Sequence, residues 1–515
     1  MRCSWLVLAV LLSGCAKETA PTWRRIAILP LENLAAEPSG AVAAGALRLA
    51  IWDSLQAQPA LHVALPAHRR DLPELQPALL MEGYVAPGQF QIQLNAKQHS
   101  CLGSFADCVP KLIAAVAGQL HVTPRPSPRA ESLLLLADPA QSAAALETAA
   151  KADSSFSALW LGWSSQAQRA DGAPAALGIL AQAPLPSMPP YDAARLRLRE
   201  AELRQDVRAR AKALGALAAL SPADFELQDR AAREAVAVRD FNAALAIYSR
   251  TLALLPSPPL LNQAAYVAAF AGDRETAERY ASSASAAAPA DPRYLDTRGE
   301  VAYFFGHFAA AAQFFEQASD ANVTFLDGLD LWKAASAARR GGDAARAKAL
   351  FTRFIEVQTR AGRQNTLVQQ AAWDWFGGAD DDALGKLRTA AGSTDRGKAL
   401  FYLALAALHQ RDFAAAQSVR KQMEPNSIEF AFLGCLVDGA PPPPGLQLPA
   451  EALTALHRYL HGDNKEAQRL LDAARLKMDP LGEGQWRKLA AILAGGKEER
   501  LLPPSPEDWL AFLLR

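Results

Sequence analysis

Two short clusters of side chains have the types and the spacing that metal binding requires. His457 and His461 stand four residues apart on a predicted helix, and with Asp463 nearby they could ligate a transition metal. Residues 380–382 are three consecutive aspartates behind two glycines, and such carboxylates suit calcium. The simpler interpretations are a solvated helix face for the histidines and the first turn of a helix for the aspartates, because acidic side chains stabilise a helix start. We therefore predict no metal site and no cofactor.

No group of residues predicts catalysis either. The sequence contains no phosphate-binding glycine loop, no nucleophile elbow and no zincin helix. Lysine plus arginine and aspartate plus glutamate each number 53, so the net charge is zero and lacks the basic excess of a nucleic-acid-binding protein. The sequence predicts a protein that is not an enzyme and does not bind nucleic acid.

Two cysteines in the first part of the chain suggest redox chemistry. Cys101 and Cys108 are close in sequence, and outside the cytoplasm they could form a disulfide. The spacing equally allows two unpaired buried thiols. A zinc site is not expected, because only His99 lies near them and a structural zinc site needs four ligands.

The beginning of the chain has the pattern of an export signal. Arg2 precedes an apolar run at residues 5–12, which is shorter than the roughly 20 residues that span a bilayer, so we interpret residues 1–14 as a cleaved signal peptide. Residues 12–15, Leu-Ser-Gly-Cys, closely resemble the lipobox of bacterial lipoproteins. The resemblance implies that Cys15 is acylated and starts a mature protein held to a membrane by lipid, with Ala16 favouring the outer membrane, facing the periplasm. The alternative is an ordinary signal followed by a chance cysteine.

Strands and helices alternate over residues 15–122, which predicts a small α/β domain. The predicted elements are strands at 26–31, 61–65, 81–85 and 90–95 and helices at 39–57 and 111–120. The opening "IAILPLENL" and the segment "MEGYVAPGQFQIQLNAKQ" resemble the TolB amino-terminal-like domain, which precedes helical repeats in many bacterial proteins. Residues 99–108 replace the later segment of that family. The resemblance implies a fold but no catalytic residue.

A helical array follows a proline-rich linker at 123–130. Across residues 131–440 a small residue recurs every 33 to 36 positions, close to the period of tetratricopeptide helix-turn-helix repeats. The aligned residues, each expected on the second helix of a pair, are Ala176, Ala211, Ala244, Ala277, Ala311, Ala347, Ala383 and Ala416. Small residues such as Gly299 let paired helices approach, and Gly272 and Gly306 are expected to close first helices in a left-handed conformation.

The end of the array is marked by a second proline-rich segment at 441–449. Residues 450–515 are expected to add a terminal helical repeat. We predict that their tail, from Leu501 to Arg515, caps the stack through Trp509 and Leu510.

The resemblance to tetratricopeptide proteins also implies a site. In that family the first helices line a concave groove that binds peptide segments or partner domains. The corresponding residues here are Asn262, Tyr266, Phe270, Asp296, Glu300, Tyr303, Trp332, Ser336 and Arg339. Aromatic and arginine side chains commonly anchor interfaces, so we predict a partner-binding patch. Alternatively some of the aromatics, Phe270 and Trp332 above all, pack between repeats.

These observations predict a mostly α protein with a small α/β N-terminal domain followed by a tetratricopeptide-type α-solenoid. The predicted function is a lipid-anchored extracytoplasmic scaffold that binds a protein or peptide partner without catalysis. One alternative is an accessory subunit of an envelope assembly or export machine. Another is a ligand-binding or enzymatic role of the N-terminal domain.

Overall fold

The computed structural model describes residues 23–35, 37–75, 77–363, 366–443, 448–478, 483–496 and 500–515. The predicted signal peptide and Cys15 lie outside these residues, as does part of the predicted proline-rich break. The chain forms two compact units. The first takes the described residues up to Ala235 together with Ala246–Pro256, and the second takes Val236–Leu245 and Ser257–Arg515.

The first unit begins with a mixed sheet. Its strands are β1 (Arg24–Ile28), β2 (Glu32–Asn33), β3 (Leu61–Ala64), β4 (Leu79–Ala86), β5 (Gln89–Leu94) and β6 (Lys97–Leu102). The order is β3-β1-β4-β5-β6; β1 runs parallel to β3 and β4, β2 pairs parallel with β4, and β4, β5 and β6 are antiparallel. β1 is central, which explains why Ile26 and Ile28 are fully buried within a continuous apolar run.

The N-terminal sheet contains two strands more than its sequence pattern indicated, the two-residue β2 and the longer β6. Residues 97–102 form β6, which pairs along the whole of β5, although they alternate weakly and carry mostly polar side chains. A strand with one exposed face needs few apolar residues, so hydrophobic periodicity did not identify it. Its one buried side chain is Cys101, which forms a disulfide with Cys108 of the following helix.

The helices of the first unit cover the sheet and then continue as hairpins. Their bounds are α1 (Pro38–Ser54), α2 (Leu72–Leu75), α3 (Phe105–Leu120), α4 (Ala130–Ala137), α5 (Ala143–Ala152), α6 (Ser157–Asp171), α7 (Ala173–Leu180), α8 (Pro190–Leu203), α9 (Val207–Leu220), α10 (Phe225–Ala237) and α11 (Phe241–Leu254). The division between the two units falls within α10 and α11. The proline-rich segment 123–130 lies inside the first unit, where Arg125 forms ion pairs with the buried Asp53 of α1 and Asp192 of α8.

The second unit consists of helices. Their bounds are α12 (Pro258–Ala271), α13 (Arg274–Ala287), α14 (Pro292–Phe304), α15 (Phe308–Ala321), α16 (Leu329–Arg340), α17 (Ala344–Arg360), α18 (Thr366–Phe376), α19 (Asp380–Ala390), α20 (Arg396–His409), α21 (Phe413–Arg420), α22 (Ile428–Asp438), α23 (Ala450–Leu460), α24 (Asn464–Arg475), α25 (Trp486–Leu493) and α26 (Trp509–Leu513). Successive helices pack as pairs, from α12 with α13 to α20 with α21, and again α23 with α24.

The predicted repeat register is confirmed. All eight aligned alanines lie on the second helix of a pair, and each is at most 8% exposed. Gly299 lies where α14 meets α15, and a Cβ atom there would come within 2.5 Å of the Phe315 ring. Only a residue without a side chain allows this approach. The chain is therefore mostly α-helical, with a small α/β N-terminal domain followed by helical repeats of tetratricopeptide type.

The turns inside the pairs follow one chemical rule. A residue with positive φ ends the first helix, and an aspartate then caps the second helix by accepting a hydrogen bond from the backbone N–H three residues on. The pairs in the second unit that do so are Gly272 with Asp273, Gly342 with Asp343, Arg411 with Asp412, and Gly462 with Asp463. Gly306 has the predicted positive φ as well. None of the described helices is long and apolar enough to cross a lipid bilayer.

Candidate functional site

The first helices of the pairs bring the predicted site residues together in the second unit. We call the surface formed by α14, α16, α18 and α20 the first-helix face. Trp332, Ser336 and Arg339 share one side of α16 at intervals of three and four residues. Asp296, Glu300 and Tyr303 do the same on α14, and Asn262, Tyr266 and Phe270 on α12. The helical spacing therefore places each set on one side of its helix.

Part of this set is a buried ionic cluster. The ammonium of Lys333, on α16, lies 2.7 Å from Asp296 Oδ1 and 2.6 Å from Glu300 Oε1. The Tyr266 hydroxyl donates to Glu300 Oε2 at 2.7 Å. Although burial works to lower the pKa of Lys333, the carboxylates of Glu300 and Asp296 raise it above its ordinary value. These side chains pair with one another by charge and by hydrogen bonds, so their role is to join α12, α14 and α16.

A third acid completes the cluster, and the cluster requires a proton. Both carboxylate oxygens of Asp330 are buried and would lack a partner if every acid were ionised. Burial raises the pKa of Asp296 well above its ordinary value, and the negative charge of Glu300 adds to this effect. A proton held by Asp296 allows that carboxyl group to donate a hydrogen bond to Asp330.

The aromatic residues of the predicted site pack against other side chains, as the alternative interpretation of the sequence proposed. The Trp332 side chain is fully buried, with the rings of Phe354 and Trp373 5.7 and 5.6 Å from its own. The Arg339 guanidinium lies 3.9 Å from the centre of the Trp373 ring, and burial lowers its pKa. Phe270 meets Phe304 edge to face at 5.5 Å. These residues are not open to solvent as a free patch.

The first-helix face is covered by the last residues of the chain. We call residues 500–507 the strap and residues 508–515 the anchor. Trp332 Nε1 donates to the main-chain oxygen of Pro504 at 2.8 Å, and Lys398 of α20 pairs with Glu507 at 2.5 Å. The strap therefore follows the face from α16 to α20. We expected this tail to cap the end of the stack through Trp509 and Leu510. Trp509 meets Phe432 of α22 and Trp486 of α25, and the cap itself stays a prediction.

The anchor is the more deeply buried part of the tail. Phe512 stacks on Trp375 of α18, with ring centres 4.7 Å apart, and meets the Tyr402 ring edge to face at 4.8 Å. Trp375 Nε1 donates to the Phe512 carbonyl at 2.9 Å. His409 Nδ1 lies 3.0 Å from the Leu513 carbonyl oxygen.

The end of the anchor is held by charge. Arg515 forms an ion pair with Asp380 in the first turn of α19, with one N–O distance of 2.9 Å. This hydrogen bond lowers the pKa of Asp380. The three aspartates at 380–382 thus begin a helix, which confirms that interpretation of them.

The two histidines are hydrogen-bonded to the main chain, and His461 is exposed, as expected for a solvated helix face. His457 Nδ1 donates to the Leu436 carbonyl at 2.9 Å, and His461 Nε2 lies 3.2 Å from the Val437 carbonyl. Both carbonyls belong to the last turn of α22. Among the described residues, no group of three or more His, Cys, Asp or Glu side chains is arranged to hold a metal ion.

The first unit has a buried polar cluster of its own. The Ser157 hydroxyl donates to Asp192, Arg125 pairs with both Asp192 and Asp53, and Arg195 Nη1 lies 3.7 Å from Asp53. Burial raises the pKa of Asp53, although the nearby guanidinium groups oppose this effect. The polar atoms are engaged with one another, which is the arrangement of a structural network.

Several residues of the site escaped the sequence argument. Lys333 and Asp330 are charged residues among the apolar residues at the start of α16, and charges in such a stretch are a signal for a buried ion pair. Trp375, Lys398 and Asp380 contact the tail from repeats that depart from the tetratricopeptide consensus. Their role depends on the path of residues 500–515, which no local pattern reveals.

The fold defines the chain as a protein of tetratricopeptide-repeat type. No protein-family model matches it, and no curated protein does. It is similar in structure to YrrB, described as a TPR protein with an unusual peptide-binding site, at 13% identity over 42% of this chain and 94% of that one, with a TM-score of 0.23. A tetratricopeptide repeat protein from Parabacteroides merdae matches at 13% identity over 59% of this chain and 98% of that one, with a TM-score of 0.28. Yeast Tom70 matches at 12% identity over 75% of this chain and 87% of that one, with a TM-score of 0.32. At these scores the assignment of the fold rests on the helix pairs themselves.

Proposed function

We propose that this protein is a non-catalytic interaction protein whose first-helix face binds an extended segment of a partner protein. The observation that supports this most strongly is how that face holds the chain's own tail. Two indole N–H groups, from Trp332 and Trp375, donate to main-chain carbonyls of the tail. Contacts to carbonyls do not depend on the side chains of the bound segment, so the Trp332 donor, which contacts residues 500–507, suits a segment from another protein.

The charge at this face adds specificity to the binding. Lys398 of α20 pairs with Glu507 of the tail. A segment with an acidic residue at the corresponding position is therefore preferred to one without it. The ion pair is partly exposed, so it contributes more to specificity than to affinity.

The proposal includes a location at the cell envelope. The lipobox-like residues 12–15 support lipid attachment through Cys15. The disulfide between Cys101 and Cys108 is compatible with an oxidising compartment, where such bonds persist. A lipid-anchored, extracytoplasmic scaffold combines these features with the binding face.

Co-purification from the native envelope tests the function. The tagged full-length protein is solubilised in detergent and compared with Trp332→Phe, which removes the indole donor, and with Lys398→Glu, which reverses a charge of the face. The matched control is Lys348→Glu, an exposed lysine on the second helix α17. We expect a partner whose yield falls in both face variants and is unchanged in the control. Absence of any co-purifying protein, or equal yields from all four proteins, would refute the function.

A further inference from the structure

The tail that covers the first-helix face consists of two parts with different attachments. In the anchor, Leu510, Phe512, Leu513 and Leu514 are each at most 6% exposed and belong to the hydrophobic core. In the strap, Leu502, Pro504 and Ser505 are half-exposed and Glu507 is exposed. The anchor is thus part of the core, whereas the strap lies on its surface.

The main chain of the strap contributes little to holding it. Pro503, Pro504 and Pro506 have no backbone N–H, and within the described part of the chain no main-chain hydrogen bond joins the strap to a helix. One indole hydrogen bond and one partly exposed ion pair attach it, together with the Arg500 guanidinium, which lies 5.1 Å from the centre of the Phe305 ring. Burial of Leu501, Pro503 and Pro506 supplies the rest.

The strap also leaves space beside it. A cavity of about 210 Å³ is lined by Leu501, Leu502 and Pro504 on one side and by Tyr303 and Arg339 on the other. A second cavity, of about 410 Å³, lies between Pro506 and Glu507 of the strap and Gln369 and Lys398 of the helices. Either volume is several times the roughly 30 Å³ that a water molecule occupies in the liquid. The strap therefore does not completely fill the part of the first-helix face on which it lies, which we call the track.

The track beneath the strap is aromatic. It contains the Trp332 indole and the Tyr303 ring, and Leu502 packs against the cluster that holds Phe270 and Phe304. Aromatic-lined tracks with an indole N–H donor recognise proline-rich segments, because prolines keep the main chain extended and leave its carbonyls free to accept hydrogen bonds. The strap sequence, with three prolines in four positions, is such a segment.

From these contacts we infer that the track is a binding site for a proline-rich, extended peptide, and that the strap is its internal competitor. A proline-rich segment of a partner replaces the strap, while the anchor stays in the core and keeps the displaced strap close by. This inference rests on the proposed function and adds the class of partner and the means of its control.

A peptide-binding measurement on the full-length protein tests the inference. The probe is a fluorescent peptide with the sequence of residues 500–508. The opened variant is Leu501→Ser with Leu502→Ser, which removes apolar contacts of the strap and leaves the track unchanged. The matched control is Val323→Ser with Leu326→Ser, two exposed apolar residues outside the track. We expect the opened variant to bind the probe at least tenfold more tightly than the wild type and the control.

Three outcomes would overturn the inference. The first is equal binding of the probe by the opened variant and the wild type. The second is unchanged binding when Trp332→Phe is added to the opened variant. The third is equal binding of a probe in which the three prolines are alanines. If the probe binds as expected but the envelope yields no partner, the proposed function fails and the peptide site stands.

Hydrogen exchange in the unmodified protein gives an independent readout. The amides of Leu501, Leu502 and Ser505 should exchange at least tenfold faster than those of residues 510–514, because the strap lifts while the anchor remains. Equal protection of the two parts would show that the tail opens only as a whole, which contradicts the inference.

Discussion

Replacement of Lys333 by methionine tests whether the buried cluster holds the first helices together. The substitution keeps most of the side-chain volume and removes the ammonium that contacts Asp296 and Glu300. Removing one partner of a buried pair costs about 3–5 kcal/mol, because the remaining charge has lost its compensation. The same substitution at Lys398, whose ion pair with Glu507 is partly exposed, should cost about 0–1 kcal/mol. The two substitutions therefore compare the loss of a buried ion pair with the loss of a partly exposed one.

The loss of stability caused by Lys333→Met should depend on pH. Asp296 has a raised pKa in the folded protein, so its stabilising proton is fully held below the ordinary pKa of an aspartate and is lost as the pH rises through the raised value. Without the ammonium, the pKa of Asp296 rises further, because the charge that favoured ionisation is gone. The variant should consequently lose more stability at pH 8 than at pH 5.

Urea unfolding followed by circular dichroism measures these differences, provided that the slopes of the transitions agree. Adding Glu300→Gln to Lys333→Met removes the charge of Glu300, which the first substitution leaves unpaired, and should recover part of the loss. A cost below about 1 kcal/mol for Lys333→Met, equal to that of Lys398→Met, would refute the reasoning, since it would mean that water reaches the cluster.

Three further predictions concern packing, the disulfide and the attachment of lipid to Cys15. Gly299→Ala places a Cβ atom 2.5 Å from an aromatic ring and should destabilise by about 1–3 kcal/mol in thermal melts, whereas Gly385→Ala, on an open helical surface, should stabilise by about 0.5–1 kcal/mol. Replacing Cys101 and Cys108 by serine should lower the stability of the first unit by about 2.5 kcal/mol, the loop-closure value for a separation of 7 residues; melts that coincide with those of the wild type would contradict this. Cys15→Ala should leave the protein unprocessed or released from the membrane, and fractionation with the membrane at the processed mass would disprove lipid attachment.

The repeats could be predicted because their determinants are local. A helix pair needs a small residue where its helices cross, so the alanine series from Ala176 to Ala416 revealed the register. The turns could also be predicted where a glycine takes positive φ. Arg411 takes the same conformation without being glycine, and its turn carried only the following aspartate as a signal.

The site could be predicted only in part, because its last component is distant in sequence. The spacing on α14 and α16 correctly grouped Tyr303, Trp332 and Arg339 on one side of their helices. It could not show that residues 500–515 cover them, because the contact of Trp332 with Pro504 spans 172 positions. Strand β6 was missed for another reason, since its exposed face removed the apolar alternation on which the prediction relied.

The position of the tail also fixes an order of events during synthesis. Residues 500–515 are made after every helix that they cover, so α16, α18 and α20 must fold while their aromatic side chains are still bare. The contact between Trp332 and Pro504 closes a loop of 172 residues and forms late, because loop closure of this length is slow. Until then the nascent chain exposes a surface that chaperones and proteases recognise. A chain interrupted before residue 500 lacks the residues that cover that surface, so the tail hides a surface that such an interrupted chain presents.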